Sequence, residues 1–243
     1  VIENVHEALC VALDGSDRDW IVATGRRLAG VAGWLKLGLE GFTAHGPDLA
    51  RDLVATGCRL FLDLKLHDIP ATVRRAAANC AATGAELITV HAAGGREMLA
   101  AAVEGARAHG RARVVAVTLL TSLGRAELVE LGVGGEPAGV VSGWAALARS
   151  SGAAGVVCSA REAAAVRSVC GPDLLLVTPG IRPCSSATDD QRRVATPGEA
   201  VRSGSDLLVV GRPITGAPSP VEAARAILEE MAAAMVRTPQ QRP

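Results

Sequence analysis

Asp63, Lys65 and Asp68 set one ammonium group between two carboxylates within the run Phe61-Leu62-Asp63-Leu64-Lys65-Leu66-His67-Asp68-Ile69-Pro70. Of the 25 Lys and Arg residues in the chain, only Lys36 and Lys65 are lysines. The composition therefore uses arginine wherever a fixed positive charge suffices. A guanidinium stays protonated under ordinary conditions, whereas a lysine amine releases a proton when its neighbours are arranged for it. Proton transfer is the chemistry to which this spacing points.

Asp14, which ends the run Val11-Ala12-Leu13-Asp14, and Lys36, within Trp34 to Gly38, extend the row. An adjacent opposite charge favours the ionised form by about 1 to 3 pK units, so alternating signs hold every member charged. Such a row suits a reaction that builds negative charge on a bound substrate and ends with a proton from Lys65. It would equally serve as a structural ion-pair network, although surface arginines would do that as well.

A second constellation lies in Val209-Val210-Gly211-Arg212-Pro213 and in Thr178-Pro179-Gly180-Ile181-Arg182-Pro183. Both bring backbone amides and a guanidinium to the end of an apolar run, a pattern suited to phosphate. Gly-Arg-Pro alone also reads as the turn that starts a helix. The polar stretch Cys184 to Gln191 is expected to fold over the phosphate and place Gln191 on it. His67 and His91 raise the question of a metal, but Lys36 and Lys65 crowd the same place and repel a cation, so no metal is expected. Neither a Ser-His-Asp arrangement nor G-x-S-x-G supports nucleophilic hydrolysis.

The elements that must position these groups are eight short apolar runs: Ala8 to Leu13, Trp34 to Gly38, Arg59 to Leu64, Leu87 to His91, Val114 to Leu119, Gly155 to Cys158, Leu174 to Thr178 and Leu207 to Val210. Amphipathic segments separate them, among them Asp17 to Ala29, Pro47 to Thr56, Ile69 to Thr83 and Pro220 to Met231. Strand and helix alternating eight times require parallel pairing, which predicts an α/β fold closed as a (β/α)8 TIM barrel, with an open doubly wound sheet as the alternative. In the second run Leu35, Leu37 and Leu39 share one face, and in the third Leu60, Leu62 and Leu64 do. Those leucine faces should meet the helices, leaving Lys36, Asp63 and Lys65 inside the barrel near its C-terminal mouth. The segment Thr121 to Gly143 breaks the spacing and is a candidate lid.

The length of 243 residues fits one barrel, taken as residues 1–237 with 238–243 as a flexible tail. The 21% of charged residues sum to zero net charge, which leaves no basic stripe for nucleic acid. Six cysteines lack any C-x-x-C pair and read as reduced core thiols. No basic segment followed by an apolar stretch opens the chain, and no run approaches about 18 apolar residues, so a soluble cytoplasmic protein without membrane contact is expected.

Taken together, these motifs resemble those of the bacterial orotidine 5′-phosphate decarboxylase family. D-x-K-x-x-D-I-P marks a wider suprafamily, and T-P-G-I-R-P, Asp190-Gln191-Arg192-Arg193 and Gly211-Arg212-Pro213, in that order, single out the decarboxylase. The resemblance implies conversion of orotidine 5′-monophosphate to uridine 5′-monophosphate and carbon dioxide, the last step of UMP biosynthesis, with no metal or organic cofactor. By it, Lys65 donates a proton to a C6 carbanion and Asp63 lies against the departing carboxylate. Asp14 and Lys36 hold the ribose, Lys36 also keeping the carboxylates charged. Thr121 covers the pyrimidine, and Arg182, Gln191, Gly211 and Arg212 bind the phosphate. Asp68 and Ile69 would reach the neighbouring site of a homodimer, and Thr72 of the same motif would join the substrate-binding set. A magnesium-dependent relative would want a carboxylate near the end of the second strand, where this chain has Lys36. A barrel that binds nucleotides without turnover is the other rival.

Overall fold

Helix signals along the chain are local and chemical. Asp17 accepts a hydrogen bond from the Trp20 amide at 3.0 Å and so caps α1 (Arg18–Leu28), which buries Ile21, Thr24, Gly25 and Leu28 along one stripe. Ser159 and Glu162 form a capping box at the start of α7 (Ala160–Cys170), and Thr196 with Glu199 does the same for α8 (Pro197–Arg202). Pro70 occupies the first turn of α3 (Pro70–Ala81), where its missing N–H costs nothing. The remaining helices are α2 (Leu39–Val54), α4 (Gly95–Arg107), α5 (Arg125–Glu130), α6 (Pro137–Ser150), α9 (Arg212–Thr215) and α10 (Pro220–Val236).

A computed structural model describes residues 4–183 and 194–236. Its strands are β1 (Leu9–Ala12), β2 (Trp34–Gly38), β3 (Arg59–Leu66), β4 (Leu87–His91), β5 (Arg113–Val117), β6 (Gly155–Val157), β7 (Leu175–Thr178) and β8 (Leu207–Val210). All pair in parallel with their sequence neighbours, and β1 pairs with β8, so the sheet closes into a (β/α)8 barrel. The open-sheet alternative is thereby excluded.

Two layers of apolar side chains follow from the strand alternation. Leu35, Leu37, Leu60 and Leu62 face outward into the shell between barrel and helices. Cys10, Trp34, Phe61, Leu87, Val115, Val177, Leu207 and Val209 fill the barrel interior. Leu39 departs from its expected place: it is 52% exposed because the chain has already turned into α2. That helix begins eight residues before Pro47 and kinks at Gly46, which takes φ 66°, ψ −156° ahead of the proline. β3 runs two residues past the expected Leu64. Its pairing with β4 loses register between Leu62, opposite Ile88, and Leu66, opposite Val90, so Asp63, Leu64 and Lys65 all stand against Thr89. Among the described residues, Cys10, Cys58, Cys80, Cys158 and Cys170 are free and buried. Burial pushes the Cys80 thiol up to about 11, which keeps it protonated and inert. The expected tail, 238–243, and Cys184 lie outside the described residues.

Candidate active site

Four charged groups from three consecutive strands meet at the C-terminal mouth. Lys36, inward on β2, donates to Asp14 Oδ1 at 3.0 Å and lies 3.4 Å from Asp63 Oδ2. Lys65 Nζ donates to Asp63 Oδ1 at 2.9 Å. The order is Asp14, Lys36, Asp63, Lys65, with signs alternating as the sequence suggests. Asp14 sits two residues beyond β1, and the Leu13 amide ties that turn to the Lys36 carbonyl at 3.0 Å. Gly38 leaves the pair its room: a Cβ there would stand 3.0 Å from both Asp14 Oδ1 and Lys36 Nζ.

The two middle members of the row, Lys36 and Asp63, are held charged although burial opposes it. Burial alone would push the Lys36 ammonium down, but Asp63 and Asp14 outweigh it and its pKa is raised. Burial likewise pushes the Asp63 carboxyl up, yet Lys36, Lys65 and hydrogen bonds from Lys65 and Thr89 bring it below the usual carboxylate value. His91, at the end of β4, is lowered by burial and by His67 and Lys65, which favours the neutral ring. The His91 ring meets that of His67, with centroids 5.5 Å apart. Among the described residues no group of three or more His, Cys, Asp or Glu is arranged to hold a metal ion.

Lys65 reaches this position through its backbone. It is the one non-glycine residue with positive φ, 52°, among those described. Its amide donates to Thr89 Oγ1 at 2.8 Å, and the same hydroxyl donates to Asp63 Oδ1 at 3.0 Å. Strict alternation along β3 thus predicts the right neighbours for a different reason from the one the chain uses. The spacing of the charged residues does not point to Thr89. The available signal was a lone hydroxyl in Leu87-Ile88-Thr89-Val90, a run fully buried at Thr89.

These groups form one wall of a cavity of about 240 Å³. Arg182, Gly211 and Arg212 line it too, as do Pro179, Gly180, Leu120 and Thr121, while Val117, Val157, Val177 and Val209 give it an apolar floor. Gly180, with φ 78°, makes the turn that carries Arg182 to the rim. The Arg182 amide donates to the Ala195 carbonyl at 2.9 Å, and the Ala195 amide to Gly180 at 3.2 Å, so the two ends of the segment after β7 are pinned together. Gln191 and the rest of the stretch expected to cover a phosphate lie outside the described residues. Asp68, Ile69 and Thr72 are not brought to this cavity: Asp68 and Ile69 are exposed on the connection to α3, with Ile69 67% exposed, and Thr72 sits in that helix's first turn.

Comparison with known proteins gives the family of this barrel. The Orotidine 5′-phosphate decarboxylase / HUMPS family matches residues 7–227. The chain belongs to that family. A relative named orotidine 5′-phosphate decarboxylase from Anaeromyxobacter sp. (strain K) is 53% identical over 221 residues, covering 91% of this chain and 96% of the relative. One of the same name from Moorella thermoacetica is 48% identical over 239 residues, 94% of this chain and 93% of its own. The crystal structure of orotidine 5′-phosphate decarboxylase from Lactobacillus acidophilus superposes with a TM-score of 0.80 at 37% identity, covering 92% of this chain and 98% of that one. That solved structure thus shares this chain's barrel over nearly its whole length.

Proposed function

We propose that the chain decarboxylates orotidine 5′-monophosphate to uridine 5′-monophosphate, the last step of de novo UMP synthesis, without metal or organic cofactor. The observation that carries this reading is the row Asp14, Lys36, Asp63, Lys65 on the wall of a cavity whose rim holds Arg182 and Arg212. In the reaction the C6–carboxylate bond breaks, carbon dioxide leaves, and the electron pair stays on C6. Lys65 then gives that carbon a proton and is reprotonated from solvent. Its ammonium beside C6 stabilises the developing carbanion before the transfer, a charge placed in advance rather than reorganised during the step. Asp63 anchors Lys65 and faces the departing carboxylate; Lys36 keeps Asp63 ionised and, with Asp14, holds ribose hydroxyls.

Thr121 covers the base, and Arg182, Gly211, Arg212 and Gln191 bind the phosphate. Phosphate contacts far from C6 supply binding energy that holds the site closed around a carbon offering little to grip. Asp68 and Ile69 serve the neighbouring subunit's site in a homodimer, with Thr72 behind them; their exposure away from their own cavity supports this. The barrel domain is taken as 1–237, and the cytoplasm as its place. Its buried free thiols suit that compartment, and among the described residues no helix is long and apolar enough to cross a membrane.

The test is an absorbance assay with orotidine 5′-monophosphate, run with and without a chelator, on the wild type and on Lys65→Ala. Turnover by the wild type that survives chelation, and its loss in a folded Lys65→Ala variant, is the expected outcome. Activity that needs added magnesium would assign the chain to a metal-dependent chemistry instead, and near-normal turnover by Lys65→Ala would remove Lys65 as proton donor.

A further inference from the structure

We propose that Thr89 is a positioning residue for Lys65, its hydroxyl locking the left-handed backbone of the proton donor to the carboxylate that anchors the donor's amine. The inference rests on the decarboxylase reading and deepens it, since nothing in the motif around Lys65 points to β4.

The geometry leaves one assignment of protons. An ionised carboxylate only accepts, so the Thr89 hydroxyl hydrogen must point at Asp63 Oδ1, 3.0 Å away. A lone pair of the same oxygen is then left to accept the Lys65 amide at 2.8 Å. The two bonds fix each other. Between Leu62 and Leu66 the β3–β4 ladder is out of register, so the Lys65 N–H has lost the carbonyl that regular pairing would offer. A side-chain oxygen replaces it. A non-glycine residue in the left-handed region is strained, and such strain persists only where its surroundings hold it. Thr89 is fully buried and β-branched, so its own χ1 is stiff.

The consequence concerns aim. Lys65 carries its amine on a four-carbon stem, and Asp63 Oδ1 accepts from both that amine and Thr89. With the backbone free to relax toward extended geometry, Cα of Lys65 would move and the amine would follow. Displacements of about 1 Å at a reacting group cost on the order of 100-fold in rate. Thr89 contributes nothing to the rim that holds Arg182 and Arg212, so substrate affinity should be little affected.

Three variants test this: T89V, which keeps the shape and loses the hydroxyl; T89A, which loses both; and T89S, which keeps the hydroxyl on a freer rotor. Expected are a fall in kcat of about 10- to 100-fold in T89V and T89A, little change in KM or in affinity for uridine 5′-monophosphate, and recovery of most of the loss in T89S. Wild-type kcat in T89V, an equal loss in T89S, or a loss carried by KM would overturn the proposal. So would failure of T89V and T89A to fold while T89S folds, since the hydroxyl would then serve folding alone. If the wild type itself shows no turnover, the decarboxylase reading fails separately. Titration of the Asp63 carboxyl carbon by NMR then still decides the hydroxyl's part: an upward shift in T89V and not in T89S supports the lock, and identical titrations refute it.

Discussion

Asp63 is the residue on which the row turns, because it touches both lysines and Thr89. Burial opposes its charge, and Lys36, Lys65 and the hydrogen bonds overcome that opposition, so its folded pKa is depressed. A depressed carboxyl contributes stability that is fully present above its unfolded value of about 4 and is lost as pH falls through the lower folded value. Lys36 is the mirror case: its raised pKa contributes fully below the unfolded value of about 10.4 and is lost as pH rises through the folded one. Both contributions are in force at neutral pH. Asp63→Asn should therefore lower stability at pH 7 by about 1 to 3 kcal/mol, the cost of leaving buried donors without a charged acceptor. The gap from the wild type should narrow below about pH 4. Urea unfolding at a series of pH values measures it, and a gap that stays constant down to pH 3 would show that the charge of Asp63 contributes nothing. The identities in this row are legible in the sequence from lysine scarcity and strand alternation. The left-handed turn at Lys65 is not, because it arises from a register loss against β4 that no local pattern records.

Elements place these residues by where they stop as much as by where they run. β2 ends at Gly38, and α2 starts at once with Leu39, so the turn passes directly over the Asp14–Lys36 pair. The apolar alternation of β2 is readable, but it does not say that the helix begins at Leu39. Leu39 to Gly46 contain two glycines, which weaken the helical signal, and Pro47 reads as a fresh start. The eight strands, by contrast, are short buried runs whose signal is strong and local, and their order leaves closure as the arrangement that pairs both edges. At the β2–α2 junction the prediction is specific. Gly38→Ala would press a methyl group at 3.0 Å on both Lys36 Nζ and Asp14 Oδ1, two groups proposed to hold the ribose. Loss of one charge-assisted hydrogen bond to substrate is worth about 1.5 to 3 kcal/mol, so KM should rise by about tenfold or more. The melting temperature should change little, since Gly38 has φ −92°, a value alanine adopts freely. Steady-state kinetics with a melting curve checks this, and an unchanged KM would show that the pair tolerates displacement.

At the scale of the whole molecule, the barrel gathers its charged row on one rim but carries the last members of the D-x-K-x-x-D-I-P motif away from it. Lys65 lines the cavity, whereas Asp68 and Ile69, three and four residues later, are exposed beyond the end of β3. In the proposed homodimer, Ile69, 67% exposed beside the Asp68 carboxylate, would meet a second copy of the chain. A shared site makes a quantitative demand. In a dimer of Lys65→Ala with Asp68→Ala, the protomer that retains Lys65 receives Asp68 from its partner, and the other site lacks both. Equal mixing with free exchange makes half the dimers mixed, each with one complete site, so activity should return to about a quarter of the wild-type rate. Each variant alone should stay far below that level. Sedimentation or native mass spectrometry establishes that exchange has occurred. With exchange demonstrated, absence of recovery would mean that Asp68 acts in its own subunit or not at all, and the division of the motif between two sites would have to be abandoned.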